Sequence, residues 1–167
     1  MHDRLTASDI KKMEEEIEYR KVILRKELLE DVKDARAQGD LSENFEYYAA
    51  KKAKNKNESR IRFLERMIKT AHVIDDSSKD DEVGMNDRVE VYMEEDDVVE
   101  SYRIVTTVRA NSLNNLISIE SPLGKALMRK HVGDRVEVQV SPTYSYYAVI
   151  KNIEKIDDDS EDKIRSF

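Results

Sequence analysis

Asp40 and Glu43 stand three residues apart in the segment Gly39-Asp40-Leu41-Ser42-Glu43-Asn44. Two carboxylates at this spacing can hold one Mg²⁺ through oxygen ligands and leave its other positions to water and phosphate. An ion so held can activate water or steady a leaving oxygen in phosphodiester hydrolysis. Two carboxylates do not complete a metal site, so a partner has to supply the rest. The same two residues also suit a helix start, with Asp40 capping free N–H groups and Glu43 complementing the dipole. Both readings stand on spacing alone.

A basic run follows. Lys51, Lys52, Lys54, Lys56, Arg60, Arg62, Arg66 and Lys69 meet only Glu58 and Glu65 between residues 50 and 70. Such a face can lead a phosphate chain toward the acidic pair, or it is the solvated side of a long helix. Phe45, Tyr47 and Tyr48 lie beside the acidic segment. They can stack on bases or pack at the end of a helical hairpin. His2, His72 and His131 are isolated, with no metal-ligand spacing around them. Ser42 has no candidate His–Asp pair, and no phosphate-binding glycine loop is present.

The elements that position these residues can be read from periodicity. Residues 8–36 predict one long helix. Ile10, Met13, Ile17, Leu24, Leu28 and Ala35 fall close to a heptad seam, with Arg20 as a defect. Thr6 or Ser8 can cap its start, and Gly39 is a natural stop. A second helix is predicted from Ser42, its candidate N-cap in competition with Asp40, to about Ala71. Its seam is Tyr47, Ala50, Ile61, Leu64, Ile68 and Ala71, with a polar middle at Lys54 and Asn57. Two such helices joined by about four residues make an antiparallel coiled-coil hairpin, each helix about 45 Å long.

Residues 75–87 are rich in Asp, Ser and Lys and read as a linker. Period-two spacing then appears at Val89, Val91 and Met93, at Ile104, Thr106 and Val108, at Ile117 and Ile119, and at Val136, Val138 and Val140. A weaker strand follows at Tyr147 to Ile153, and Leu123 to Lys130 predicts one short helix. The expectation is an α+β chain: a hairpin over 1–75, a linker over 76–84, an antiparallel sheet domain over 85–156, and a flexible acidic tail over 157–167.

Charge supports the division. Residues 1–75 hold 17 Lys/Arg against 16 Asp/Glu, leaving 12 against 20 for the remainder. Charged residues are 39% of the chain, well above the usual share of about a quarter, which fits a wet hairpin beside a modest core. The net charge of −7 argues against a general duplex-DNA binder. There is no Cys, hence no disulfide or thiolate metal site. No apolar run nears the roughly 20 residues that span a bilayer, and Met1-His2-Asp3-Arg4 lacks a signal-peptide pattern. A cytoplasmic monomer is expected.

Ala35-Arg36 and Gly39-Asp40-Leu41-Ser42-Glu43-Asn44-Phe45-Glu46-Tyr47, continued by Ala49-Ala50-Lys51 and Glu58-Ser59-Arg60-Ile61, resemble the tip signature of the bacterial transcript cleavage factors GreA and GreB. Leu5-Thr6, Ser121-Pro122-Leu123-Gly124-Lys125-Ala126-Leu127 and Val132-Gly133-Asp134 extend the resemblance over nearly the whole chain. The resemblance implies an N-terminal coiled coil and an FKBP-like C-terminal domain that docks at the rim of the RNA polymerase secondary channel. It implies that Asp40 and Glu43 hold the second catalytic Mg²⁺ in complex with polymerase, with Ser42 and Asn44 in support. No cofactor is then expected on the isolated chain, and the nascent RNA 3′ end is the nucleic-acid partner, met by Lys51, Lys52, Lys54, Lys56, Arg60 and Arg62. The chain would be no enzyme itself. Two departures stand out: Lys54-Asn55-Lys56-Asn57 replaces the Gln, Gly and two apolar residues common in the family, and Ile156 to Phe167 runs past its usual stop. A non-cleaving channel-binding paralogue is the alternative. A prolyl isomerase is disfavoured, because the C-terminal part has no Trp to line a proline pocket.

Overall fold

The computed structural model describes residues 4–39 and 44–166, in two compact units. One is built on Ala7–His72. The other comprises Arg4–Thr6 and residues 73–166.

The first unit is a helical hairpin. The predicted first helix is continuous but not uniform. It runs as α1 (Ala7–Tyr19), a π turn (Arg20–Leu24) and α2 (Arg25–Arg36). Flanking backbone angles stay α-helical across the turn, and Arg25 N–H donates to the Arg20 carbonyl five residues back. The second helix, α3 (Phe45–Thr70), returns antiparallel. Cross-helix pairs show this: Glu16 meets Arg60, Arg25 meets Glu58, and Arg36 meets Tyr47. The seam read from periodicity is the one that closes. Met13, Ala35, Ile61 and Leu64 are buried, and Ile10, Ile17, Leu24, Leu28, Tyr47, Ala50 and Ile68 are half-buried.

The second unit is a five-stranded curled sheet with one helix. Its strands are β3 (Arg88–Met93), β4 (Val98–Val105), β5 (Leu116–Ser118), β6 (Arg135–Ser141) and β7 (Tyr144–Glu154), ordered β5-β4-β3-β7-β6. The two-residue strands β1 (Arg4–Leu5) and β2 (His72–Val73) pair with each other. The expected antiparallel pairing holds for β3 with β4 and β7, and for β6 with β7, whereas β5 joins β4 in parallel. The helix α4 (Pro122–Leu127) covers the core of Val89, Val91, Ile104, Leu127, Val138 and Ile150. Ser121 caps it by accepting from Gly124 N–H at 3.0 Å, and Pro122 fills a position with no N–H to satisfy. A Cβ on Gly124 would stand 2.1 Å from the Ser118 carbonyl oxygen, so only glycine fits there.

Several expectations change. Thr106 and Val108 are buried as the alternation predicts, but β4 stops at Val105 and Thr107–Arg109 form a 3₁₀ turn. Val140 breaks the inward row of Val136 and Val138 and is exposed, because the register with β7 shifts between Gln139 and Ser141. Residues 76–84, expected as a linker, carry no helix or strand yet are tied down. Val83 is fully buried, and Lys155 Nζ lies 2.6–2.9 Å from Asp87 Oδ2, Ser78 Oγ and the carbonyls of Lys79 and Glu82.

The acidic tail, expected to be flexible, is clasped as well. Asp162 accepts from Arg103 at 2.6 Å and from Arg109 at 2.8 Å, and Arg165 N–H donates to the Val108 carbonyl. Composition counts the charge of the tail, but Asp162 has two guanidinium partners, one of them fully buried.

Candidate functional site: the hairpin end and its basic helix

Asp40, Ser42 and Glu43 lie outside the described residues. The ends that hold them do not. α2 closes with Gln38 N–H donating to the Ala35 carbonyl, and Gly39 follows at φ +109°. A Cβ at Gly39 would meet nothing within 4 Å, so the backbone angle rather than space selects glycine.

The N-cap of α3 is Asn44, not Ser42 or Asp40. Its Oδ1 accepts from Tyr47 N–H at 3.0 Å. Its amide also donates to the Ala35 carbonyl at 2.7 Å, the same oxygen that accepts from Gln38 N–H at the end of α2. Asn, Ser and Asp cap comparably well. The second bond decides, since a carboxylate has no proton to donate at neutral pH. Asn44 thus joins the two helix ends, and its oxygen is committed to the backbone.

Around this junction the aromatics divide. Phe45 is 86% exposed and Tyr48 is half open to water, whereas Tyr47 is half-buried beneath Arg36, whose Cζ lies 5.4 Å from the ring centroid. A hydrogen bond from Arg36 holds the Tyr47 phenol below its ordinary pKa. Desolvation opposes this, and the charges of Lys51, Arg36 and Lys54 add to it.

The two acids interrupting the basic run are both taken up across the hairpin. Glu58 receives two hydrogen bonds from Arg25, at 2.7 and 2.9 Å, and these hold its pKa below the ordinary carboxylate value. Glu65 pairs with Lys21 at 2.5 Å. Lys51, Lys52 and Lys56 face solvent, Lys54 is half-buried, and exposed Arg62 donates to Ser59 Oγ at 3.1 Å. Arg60 departs from the expected set. Its side chain is 10% exposed and donates to both oxygens of Glu16, at 2.8 and 3.3 Å, so it belongs to the hairpin interior. Its place three residues after Asn57 sets it beside the seam.

Among the described residues, no cluster of three or more His, Asp or Glu could hold a metal, and no helix is long and apolar enough to cross a membrane.

Residues 4–73 match the family described as Transcription elongation factor, N-terminal, and residues 78–155 match Transcription elongation factor, GreA/GreB, C-term. The chain is 49% identical over 137 residues to transcription elongation factor GreA of Thermoanaerobacter pseudethanolicus, covering 81% of this chain and 87% of that protein. This chain belongs to the GreA/GreB family of transcription elongation factors. GreA of Clostridium acetobutylicum is 42% identical over 147 residues, covering 87% of this chain and 93% of its own. Among solved structures, the GreA factor homolog Gfh1 of Thermus thermophilus aligns with a TM-score of 0.43 and 24% identity, over 93% of this chain and all of that one. In this GreA/GreB chain, the tail residues Asp158 to Arg165 that clasp Arg103 and Arg109 lie beyond the matched segments. Sequence reasoning missed that clasp, because Asp162 is one of five acids within residues 157–162 and nothing local singles it out.

Proposed function

We propose that this protein inserts its hairpin end into the secondary channel of RNA polymerase and stimulates Mg²⁺-dependent cleavage of backtracked RNA 3′ ends. The observation that carries the reading is the charge arrangement of α3. The two acids within its basic run, Glu58 and Glu65, are paired away across the hairpin, while Lys51, Lys52, Lys56 and Arg62 stay exposed along the helix that follows the segment bearing Asp40 and Glu43. A phosphate chain is attracted along that face toward the acidic pair. Exposed Phe45 offers a stacking surface at the same end.

The donor set fits Mg²⁺. Asp40 and Glu43 supply hard carboxylate oxygens, while the Asn44 oxygen already accepts from Tyr47 N–H. Two carboxylates do not complete the site, and polymerase supplies the rest. A Mg²⁺ held there supplies positive charge to polarise a phosphate oxygen or activate water. Asn44 ties the start of α3 to the end of α2, on either side of the segment that bears the pair. The sheet unit supplies the docking surface at the channel rim, and the isolated protein is catalytically inert.

A second reading, a channel-binding relative that modulates transcription without cleavage, is separated by the carboxylates themselves, which simple plugging does not require. The deciding experiment adds purified protein to a stalled elongation complex with an extruded, labelled RNA 3′ end. Short 3′ fragments that depend on the protein are expected. Their absence at saturating Mg²⁺, with binding intact, would favour the second reading.

A further inference from the structure

Two polar residues interrupt the apolar seam, Arg20 on the first helix and Asn57 on α3, and the fold brings them together. Asn57 is 3% exposed. Its Oδ1 accepts from Arg20 Nη1 at 2.9 Å, and its amide donates to the Arg20 backbone carbonyl at 3.2 Å. That carbonyl opens the π turn and already accepts from Arg25 N–H. The π turn thus presents a backbone acceptor toward the opposite helix, a use consistent with the frequent placement of such turns at functional positions. Glu16 completes the group, accepting from Arg20 Nε at 3.1 Å and from two nitrogens of Arg60.

The arrangement is specific in a way that an apolar seam is not. Leucine and isoleucine accept many axial offsets, whereas this Arg–Asn pair needs a side chain, a carbonyl and an amide in one place. A single buried Asn in a helical seam fixes register at some cost in stability. Replacing a buried polar group with apolar residues of similar volume is often neutral or stabilising. Asn44 also ties the helices, but at their very ends. Arg20 and Asn57 act in the middle.

We propose that Arg20 and Asn57 are positioning residues, a polar clasp that fixes the axial register of α3 against the first helix and so the place at which residues 40–43 are presented. Only the last consequence rests on the cleavage reading. A slip of one helical turn moves one helix by about 5.4 Å along the other. A misplacement of about 1 Å in a reacting group can already cost a hundredfold in rate.

The chain has no cysteine, so spin-label sites can be introduced without background. Lys11 and Ala53 are both exposed and lie on opposite helices of the hairpin. In the full chain, the distance between labels at these positions should be single and narrow. In Arg20→Leu/Asn57→Leu the melting temperature should stay equal or rise, because Glu16 keeps Arg60 as its partner. The distance distribution should nevertheless broaden or gain a second population shifted by about 5 Å. Stimulated cleavage should fall at least tenfold, with scattered cut positions. Arg20→Lys retains a donor and should keep the single distance. A single, unshifted distance in the double leucine variant would overturn the assignment. Loss of its helical signal would overturn it too, since the pair would then supply stability rather than register. The distance measurement needs no polymerase. A wild-type protein that stimulates no cleavage would therefore sink the cleavage reading and leave the register assignment to be decided by distance alone.

Discussion

The hairpin and the sheet unit each contain an arginine-centred charge network, and the two differ in their access to water. In the hairpin, the Glu16 side chain keeps 26% of its surface exposed and Arg60 keeps 10%. In the sheet unit, Asp162 keeps 5% and Arg109 none. Where water can replace a lost partner, a polar group contributes little to stability and can be used for register or for surface chemistry. Where water cannot enter, each partner answers for the other, because an uncompensated buried charge is costly. The hairpin therefore carries the residues of the proposed chemistry at small energetic stake, and the sheet unit carries a clasp whose partners are buried together.

The strongest test of this contrast separates activity from stability at the hairpin end. Asp40→Asn and Glu43→Gln should each lower stimulated cleavage by about a hundredfold or more, the scale of losing one electrostatic contact to a transition state. Stability should change by less than about 0.5 kcal/mol, as at ordinary surface positions. Asn44 already caps α3, so neither carboxylate is needed to satisfy its first turn. A variant that cuts normally at saturating Mg²⁺ would remove the metal role. A variant that unfolds would remove the contrast.

The opposite outcome is expected in the sheet unit. Asp162→Ala removes one charged partner of the buried Arg109, which also donates to Asn86. A loss of about 3–5 kcal/mol is expected, the usual consequence of removing one member of a buried pair. Urea unfolding of the full chain would measure it. A loss under about 1 kcal/mol would mean that the tail lies on the unit without supporting it.

A smaller effect is expected on the basic face. Neutralising Lys52, Lys54 and Lys56 together should reduce crosslinking to extruded RNA several-fold at low salt, with the difference shrinking as salt rises. Thermal stability should be unaffected, since none of the three has an ion-pair partner among the described residues. An unchanged crosslink yield at low salt would leave this face merely solvated.

These contrasts also mark how far the sequence could be read. The seam from Ile10 to Ala71 was legible because burial at helical spacing is periodic, and the sheet core because burial on strands alternates. Arg20 and Asn57 were visible as defects, but their pairing depends on an axial register between residues 37 positions apart, which no local pattern encodes. The helix cap was misplaced because Asp, Ser and Asn cap alike, and the deciding bond runs to the Ala35 carbonyl on the other helix. The three-residue parallel strand β5 is too short to announce its direction. The tail misled because acidity suggests solvation until a buried arginine is found opposite it.

The finest test uses pH, and the expected effect is small. Burial is the largest single influence on Glu16 and opposes its ionisation, but hydrogen bonds and charge from Arg60 and Arg20 together outweigh it and hold its pKa below the ordinary carboxylate value. A carboxyl group whose pKa is lower in the folded state binds its proton more readily when unfolded. Its stabilising contribution is present above the unfolded value of about 4.3 and is lost as pH falls through the folded value. Because Glu16 is partly open to water, that contribution should stay near or below about 1 kcal/mol. Helical melting of wild type and Glu16→Gln, compared from pH 7 to pH 3, should show wild type the more stable at neutral pH. The gap should close only below about pH 4.3. A gap that persists unchanged to pH 3 would mean that Glu16 acts through shape and hydrogen bonding alone. The hairpin network would then be as insensitive to charge as an apolar seam, and its difference from the clasp at Asp162 would be one of packing rather than of water.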